Sequence, residues 1–326
     1  MTALAWLIVG LGLTFAFLNG MNDSGTLAAA MICTGAVGPR KALLLVAGSQ
    51  VVGALAAGVA VAYTVGRGIV VPGAITGPVV VAALVASVAW NALASLVGLP
   101  SSSSHALVGA LAGAAWAAAG RQAVLLGGIA RVLLVLFIAP WVGFVATYGV
   151  MKALLWALAG STPKAGARLE RAQWLLVPLV AAGHGANDGQ KSMGIIALGL
   201  FAAGVLPTFA VPGWVRWVAA LALATGTTVG GMRILRTVGL KLYRIRAIHG
   251  FASQAATALV VLVASLLGNP VSTTQVLSAG IAGAGSAQRF SQVRWGVIVH
   301  IVMTWFLTVP GAGGLAALVY WLIWRF

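Results

Sequence analysis

Asn19-Gly20-Met21-Asn22-Asp23 recurs as His184-Gly185-Ala186-Asn187-Asp188, 165 residues further along the chain. A second motif, Leu99-Pro100-Ser101-Ser102-Ser103-Ser104-His105, recurs as Asn269-Pro270-Val271-Ser272-Thr273-Thr274-Gln275 at a spacing of 170. Two unlike motifs repeated in one order at nearly one spacing mark an internal duplication. Both motifs are polar interruptions of apolar sequence, and such interruptions at corresponding places in two halves of a membrane protein point to its binding site.

The surrounding composition makes the membrane setting firm. Of 326 residues, 61% are hydrophobic and 7% charged. At roughly 20 residues per crossing this is apolar material for about ten spans, whereas a soluble domain carries about a quarter charged residues. A cytosolic enzyme, a disordered chain and a disulfide scaffold are excluded. Runs such as 42–65 and 296–323 are continuous, without the polar–apolar alternation of a membrane β-barrel. The net charge of +16 comes from 19 Lys and Arg against 3 Asp and Glu. These bases lie mostly between apolar runs, the pattern of cytoplasmic loops facing anionic lipid, so no nucleic-acid partner is expected. Cys33 is the single cysteine, which excludes an intramolecular disulfide and a thiolate metal site. Met1 to Leu18 lacks a basic leading segment and a small-residue cleavage site, and reads as a retained first helix.

The fold class that follows is all-α: a polytopic membrane protein of about ten to twelve transmembrane or half-membrane helices, with broken helices or hairpins at its centre. The duplication divides it into a first transmembrane repeat (1–158), a basic cytoplasmic linker (159–172) and a second transmembrane repeat (173–326).

Two of the three acids, Asp23 and Asp188, interrupt apolar runs. An acid at the centre of a membrane costs at least about 2.5–3.5 kcal/mol, so each should face a cavity or a partner. Capping a broken helix would need only Ser or Asn, which bury more cheaply. Pro100 and Pro270 break their runs, and a helix is expected to restart after each. Ser101, Ser102, Ser103 and Ser104, and Ser272, Thr273 and Thr274, would then occupy first turns, where unpaired N–H groups and the positive helix end attract an anion. Gly109, Gly113, Gly280, Gly283 and Gly285 read as close helix packing. Lys191, three residues after Asp188, is either an interfacial lysine or a member of the site. His105 reads as a hydrogen-bonded structural residue or a proton shuttle. No histidine pair has metal-ligand spacing, so no metal is expected.

The motifs together resemble the PiT family of inorganic phosphate transporters. The matching stretches are 183–198 (GHGANDGQKSMGIIAL), 98–111 (GLPSSSSHALVGAL), 268–283 (GNPVSTTQVLSAGIAG), 231–250 and the segment near Val293. The resemblance covers nearly the whole chain. It implies two inverted repeats and a multi-pass protein of the cell (cytoplasmic) membrane. The implied activity is symport of inorganic phosphate with Na+ or H+, as a homodimer in lipid, with no cofactor besides the coupling ion. Asn22, Asp23, Asn187 and Asp188 would form the substrate and cation site with the two hydroxyl clusters. The chain departs from the family pattern at Thr26 and Lys191, where an amide is usual, and at Gln275, where His is common. Thr26, Gln190, Lys191, His105 and Gln275 are therefore further candidates.

Two carboxylates and a phosphate dianion total −4 in one buried site, which Lys191 reduces only to −3. Helix N-termini add about half a positive charge each, so a co-bound cation is required to hold the anion in a low-dielectric interior. An intramembrane aspartyl protease would also bury two acids, but its GxGD motif is absent and the hydroxyl clusters would have no role. A passive anion channel has no use for acids that repel its ion. A sulfate permease of the same broad family is the nearer alternative. Protonated phosphate can donate a hydrogen bond to a carboxylate, which sulfate at neutral pH cannot, and the two acids favour phosphate on that ground.

Overall fold

The computed structural model describes residues 1–98, 101–160, 164–230, 235–236 and 245–324. Pro100 and most of the basic run around Arg233 and Lys241 lie outside them. In the first half the helices are α1 (Ala3–Leu27), α2 (Ala29–Cys33), α3 (Pro39–Ala56), α4 (Ala60–Arg67), α5 (Gly77–Val97), α6 (Ser103–Ala119) and α7 (Leu126–Ala157). The second half has α8 (Lys164–His184), a π-helical turn (Gly185–Gly189), α9 (Gln190–Ala202), α10 (Gly213–Val229), α11 (Ala247–Leu266), α12 (Thr273–Arg289) and α13 (Trp295–Trp324). The chain is an all-α polytopic membrane protein.

Five of these helices, α1, α5, α7, α11 and α13, are long and apolar enough to cross a bilayer. The run 42–65 is divided between α3 and α4, which meet at 76°. Gly58 turns the chain there with φ of +75°, a conformation that costs glycine nothing. The amide of Gln190 satisfies the broken backbone: its Oε1 accepts from Val61 N at 2.8 Å, and its Nε2 donates to Ala57 O at 3.3 Å and Ala186 O at 2.7 Å. By contrast α6, α10 and α12 have 17 residues each, about 26 Å of helix against a hydrocarbon core of about 30 Å. The first two-thirds of α6 and nearly all of α12 are buried, whereas the most apolar window of α13 is 17% buried and that of α7 28%. The outer pair, α7 and α13, faces lipid and shields the two short helices α12 and α6 packed against it.

Packing repeats the duplication. Helix α1 lies on α10 and α8 on α3; α5 sits beside α1 and α6, and α11 beside α8 and α12. The short helices cross over, α6 packing on α13 and α12 on α7. Pro140 in α7 and Pro310 in α13 occupy equivalent places. Four glycines allow close helix approaches, and they too form equivalent pairs. A Cβ on Gly20 would overlap the carbonyl of Leu223, and one on Gly185 that of Gln50. A Cβ on Gly226 would overlap the carbonyl of Phe17, and one on Gly53 that of Ala182. Such small-residue contacts replace the hydrophobic drive that lipid removes from helix association. Gly113 against Gly313 and Gly283 against Phe144 do the same for the short helices, as expected for these glycines.

Three details differ from expectation. Helix α8 begins at Lys164, inside the stretch read as linker, because its charged first turns hide the helix from a hydropathy reading. The chain at Asp188 is a widened π-turn continuous with α8 and α9, and Asp23 lies within α1, so neither acid caps a restarted helix. Ser102 and Ser272 are the N-caps of α6 and α12, which places Ser101 just outside the first turn.

On α3, Gly53→Ala should destabilise the protein by about 1–3 kcal/mol through overpacking, whereas Gly48→Ala, with nothing within 4 Å of the new methyl, should leave it unchanged or slightly more stable. Thermal unfolding of the purified protein in detergent distinguishes the two.

Candidate substrate and cation site

The widened turn Gly185–Gly189 brings Asn187 and Asp188 inward between α3, α10 and α11. A π-turn inserts an extra residue into the helical ladder and commonly marks a functional position. Asn187 anchors the chain entering α12: its Nδ2 donates to Ser265 Oγ and Asn269 O, and its Oδ1 accepts from Val271 N, all at 3.0 Å. Each of these groups is deep in the protein, so the amide both pairs the extended backbone at 269–271 and fixes where α12 starts.

Asp188 is held from three sides. Lys191 Nζ lies 2.6 Å from its Oδ1, Thr273 Oγ1 donates to its Oδ2 at 3.3 Å, and His184 Nδ1 stands 2.9 Å from that same oxygen. The opposite ring nitrogen of His184, Nε2, is 3.6 Å from Asp23 Oδ2. The structure therefore brings the two acids together, with one imidazole between them. Asp23, His184 and Asp188 can each offer a ligand atom within a cluster 4.8 Å across, and all three are buried. This grouping could hold a cation. It comes from helices α1 and α8 and the π-turn, so sequence spacing does not show it.

Lys191 is buried among these groups, not at an interface. Its ammonium is 1% exposed and donates to Asp188 Oδ1, to Ser104 Oγ at 2.5 Å and to Val271 O at 2.5 Å. Lys191 thus joins the π-turn to the starts of both short helices. Ser104 Oγ also lies 3.2 Å from Val271 O, and the repeat-equivalent pair His105 and Gln275 meet with Nδ1 and Nε2 3.4 Å apart. Equivalent residues can touch only near the axis relating the repeats, so the hydroxyl clusters converge on that axis.

The other candidates divide between support and site. Ser102 caps α6, accepting from His105 N at 3.2 Å, and its hydroxyl is 2.7 Å from His105 Nδ1, which makes the ring part of the cap. Ser101 accepts from Trp90 Nε1 at 3.2 Å and pairs with Thr308 at 3.1 Å, away from the acids. Ser272 and Thr274 pair with one another at 3.1 Å, and Ser103 is buried in the first turn of α6. Gln190 serves the α3–α4 break. Asn22 donates from Nδ2 to Asn91 O at 3.0 Å, leaving its Oδ1 without a hydrogen-bond partner; the same holds for Thr26 Oγ1 and both amide atoms of Asn19. Asn19 and His184 are the site residues not singled out from sequence. Both open the duplicated motif, and a polar side chain there was the available signal.

Two buried acids on either side of one imidazole inside a duplicated helical membrane protein, next to two short helix starts lined with hydroxyls, are an arrangement suited to a membrane transporter. The phosphate transporter family model matches residues 19–316, and the chain belongs to that family. A relative from Rhizobium meliloti (strain 1021), named "Probable low-affinity inorganic phosphate transporter", is 38% identical over 96% of this chain and 94% of its own. A Bacillus subtilis (strain 168) protein of the same name is 37% identical over 97% and 96%. Among solved structures, one titled "The sodium-dependent phosphate transporter" shares the fold, with a TM-score of 0.91 over 99% of each chain at 24% identity.

Asn187→Ala should leave Val271 N–H and Asn269 O unpaired in the interior and cost about 1–3 kcal/mol or more. The expected readout is a lower unfolding temperature together with weaker phosphate binding to the detergent-solubilised protein.

Proposed function

We propose that this chain imports inorganic phosphate together with a cation, Na+ or H+, across the cytoplasmic membrane. The observation that carries this reading is the convergence of Asp23 and Asp188 on His184 at the place where Ser104 and Thr273 begin the two short helices. Family membership and the names of the relatives support phosphate as the substrate, and the name of the structural neighbour supports a sodium-type coupling ion.

The electrostatics give the coupling its reason. Asp23, Asp188 and Lys191 together carry −1, and a phosphate dianion makes the site −3. Two helix N-termini return about one positive charge in all. The remaining −2 has no compensation within a dry interior unless a cation or protons enter with the anion. Backbone N–H groups of the first turns of α6 and α12, with Ser103, Ser104, Thr273 and Thr274, are the donors for phosphate oxygens. Asp23 and the oxygens of its own helix face are the ligands for the cation. Alternating access then follows from movement of one packed bundle against the other around the shared axis.

Labelled phosphate uptake into proteoliposomes tests this. Uptake should follow an imposed Na+ or proton gradient, arsenate should compete, and sulfate should not. Strong competition by sulfate would reassign the anion, and flux indifferent to both gradients would remove symport. Asp188→Asn should sharply reduce gradient-driven uptake and, by breaking a buried ion pair, lower unfolding stability by about 3–5 kcal/mol.

A further inference from the structure

The two repeats place different residues beside their equivalent acids. Asp188 is followed three residues on by Lys191, and Asp23 by Thr26. An alkylammonium has three N–H donors and no acceptor. All three donors of Lys191 have an oxygen at 2.5–2.6 Å: a carboxylate, a hydroxyl and a backbone carbonyl. That is the ligand set a small monovalent cation takes from a protein. The amide of Asn187, next to Asp188, is engaged on both sides, and Lys191, Thr273 and His184 already stand against the two oxygens of Asp188.

The first repeat has the opposite character. Asn19, Asn22, Asp23 and Thr26 fall at i, i+3, i+4 and i+7 of α1, one face of the helix. All are less than a tenth exposed. Asn19 Oδ1, Asn22 Oδ1 and Thr26 Oγ1 have no hydrogen-bond partner, and Asp23 Oδ2 has the ring nitrogen His184 Nε2 at 3.6 Å, with no lysine or arginine paired to it among the described residues. Buried oxygens without partners beside an acid are costly unless something binds them.

From this contrast we infer that Lys191 is a tethered cation filling the second-repeat position, and that the diffusible coupling cation binds only in the first repeat, to Asp23, Asn19, Asn22 and Thr26. The inference deepens the symport reading and rests on it. Its consequence is stoichiometric: the chain couples one cation fewer than a version in which Lys191 is replaced by a neutral oxygen ligand. Thr26→Lys, the mirror change, should remove the remaining requirement by placing an ammonium beside Asp23.

The experiment measures steady-state phosphate accumulation in proteoliposomes against imposed Na+ and proton gradients with the membrane potential clamped at zero. Each coupled cation adds about tenfold accumulation per tenfold cation gradient, since both sides are equal free energies. Lys191→Asn should steepen this dependence by one power of the gradient relative to wild type, and Thr26→Lys should flatten it by one. Unchanged slopes in variants that still transport would overturn the tethered-cation assignment while leaving symport intact. A wild-type protein with no gradient dependence would instead remove the symport reading itself. If either variant fails to give monodisperse protein, cation dependence of phosphate-induced thermal stabilisation in wild type carries the test. A Hill coefficient near one for the cation is expected, and a value near two overturns the assignment.

Discussion

The contact between Lys191 and Asp188 organises the centre of this protein. A lone carboxylate here would be among the most expensive groups the chain could bury, and a lone ammonium no cheaper. Paired at 2.6 Å, they become a fixed point to which other elements attach. The ammonium holds Ser104 at the start of α6 and Val271 before the start of α12. The carboxylate holds Thr273 in the first turn of α12 and His184 at the end of α8. One ion pair thus joins the π-turn to both short helices, and the short helices can remain short because their starts are secured inside the protein rather than at a membrane surface.

Bringing these groups together requires backbones to approach within the reach of short side chains. The equivalent glycine contacts achieve this: Gly20 on Leu223 and Gly185 on Gln50 bring α1 against α10 and α8 against α3. Both glycines stand immediately after the residue that opens the duplicated motif, so packing and chemistry are written in the same five residues. The Thr227 hydroxyl stands between the two contacts, 3.1 Å from Gly20 O and 2.6 Å from Gln50 Oε1, with its single proton to give to one of them. The fold holds the two acids by helix contacts that leave no room for a side chain larger than hydrogen.

Much of this was legible in the sequence, and the limits are physical. The continuous apolar run 296–323 matches α13 (Trp295–Trp324) nearly to the residue, because hydropathy reports lipid contact and burial alike. The duplicated motifs located both acids and both hydroxyl clusters, because a polar group in lipid is rare enough to signal itself. The start of α8 was not visible, since a charged helix turn and a charged linker have the same composition. The π-turn was not visible either: it depends on Asn187 and Gln190 finding backbone partners in other helices, and those partners are set by packing. For the same reason Ser101, placed with its neighbours by sequence, pairs with Trp90 and Thr308 in the structure.

Internal duplication supplies two equivalent sites, but a carrier of a multiply charged anion does not need them to be alike. If both repeats kept neutral oxygen ligands beside their acids, the interior would have to recruit every compensating charge from solution, and the empty site would carry two unpaired carboxylates through each return step. A lysine in one repeat supplies part of that charge permanently and stabilises the unloaded state by the same contact. It also makes the two halves unequal in what they can exchange with solvent. Under the tethered-cation proposal the second repeat is the fixed frame for α6 and α12, while the first, with its unpartnered oxygens on α1, is the half whose energy changes when an ion arrives. In a duplicated fold, a single substitution at one of two equivalent positions is enough to divide the work between scaffold and sensor.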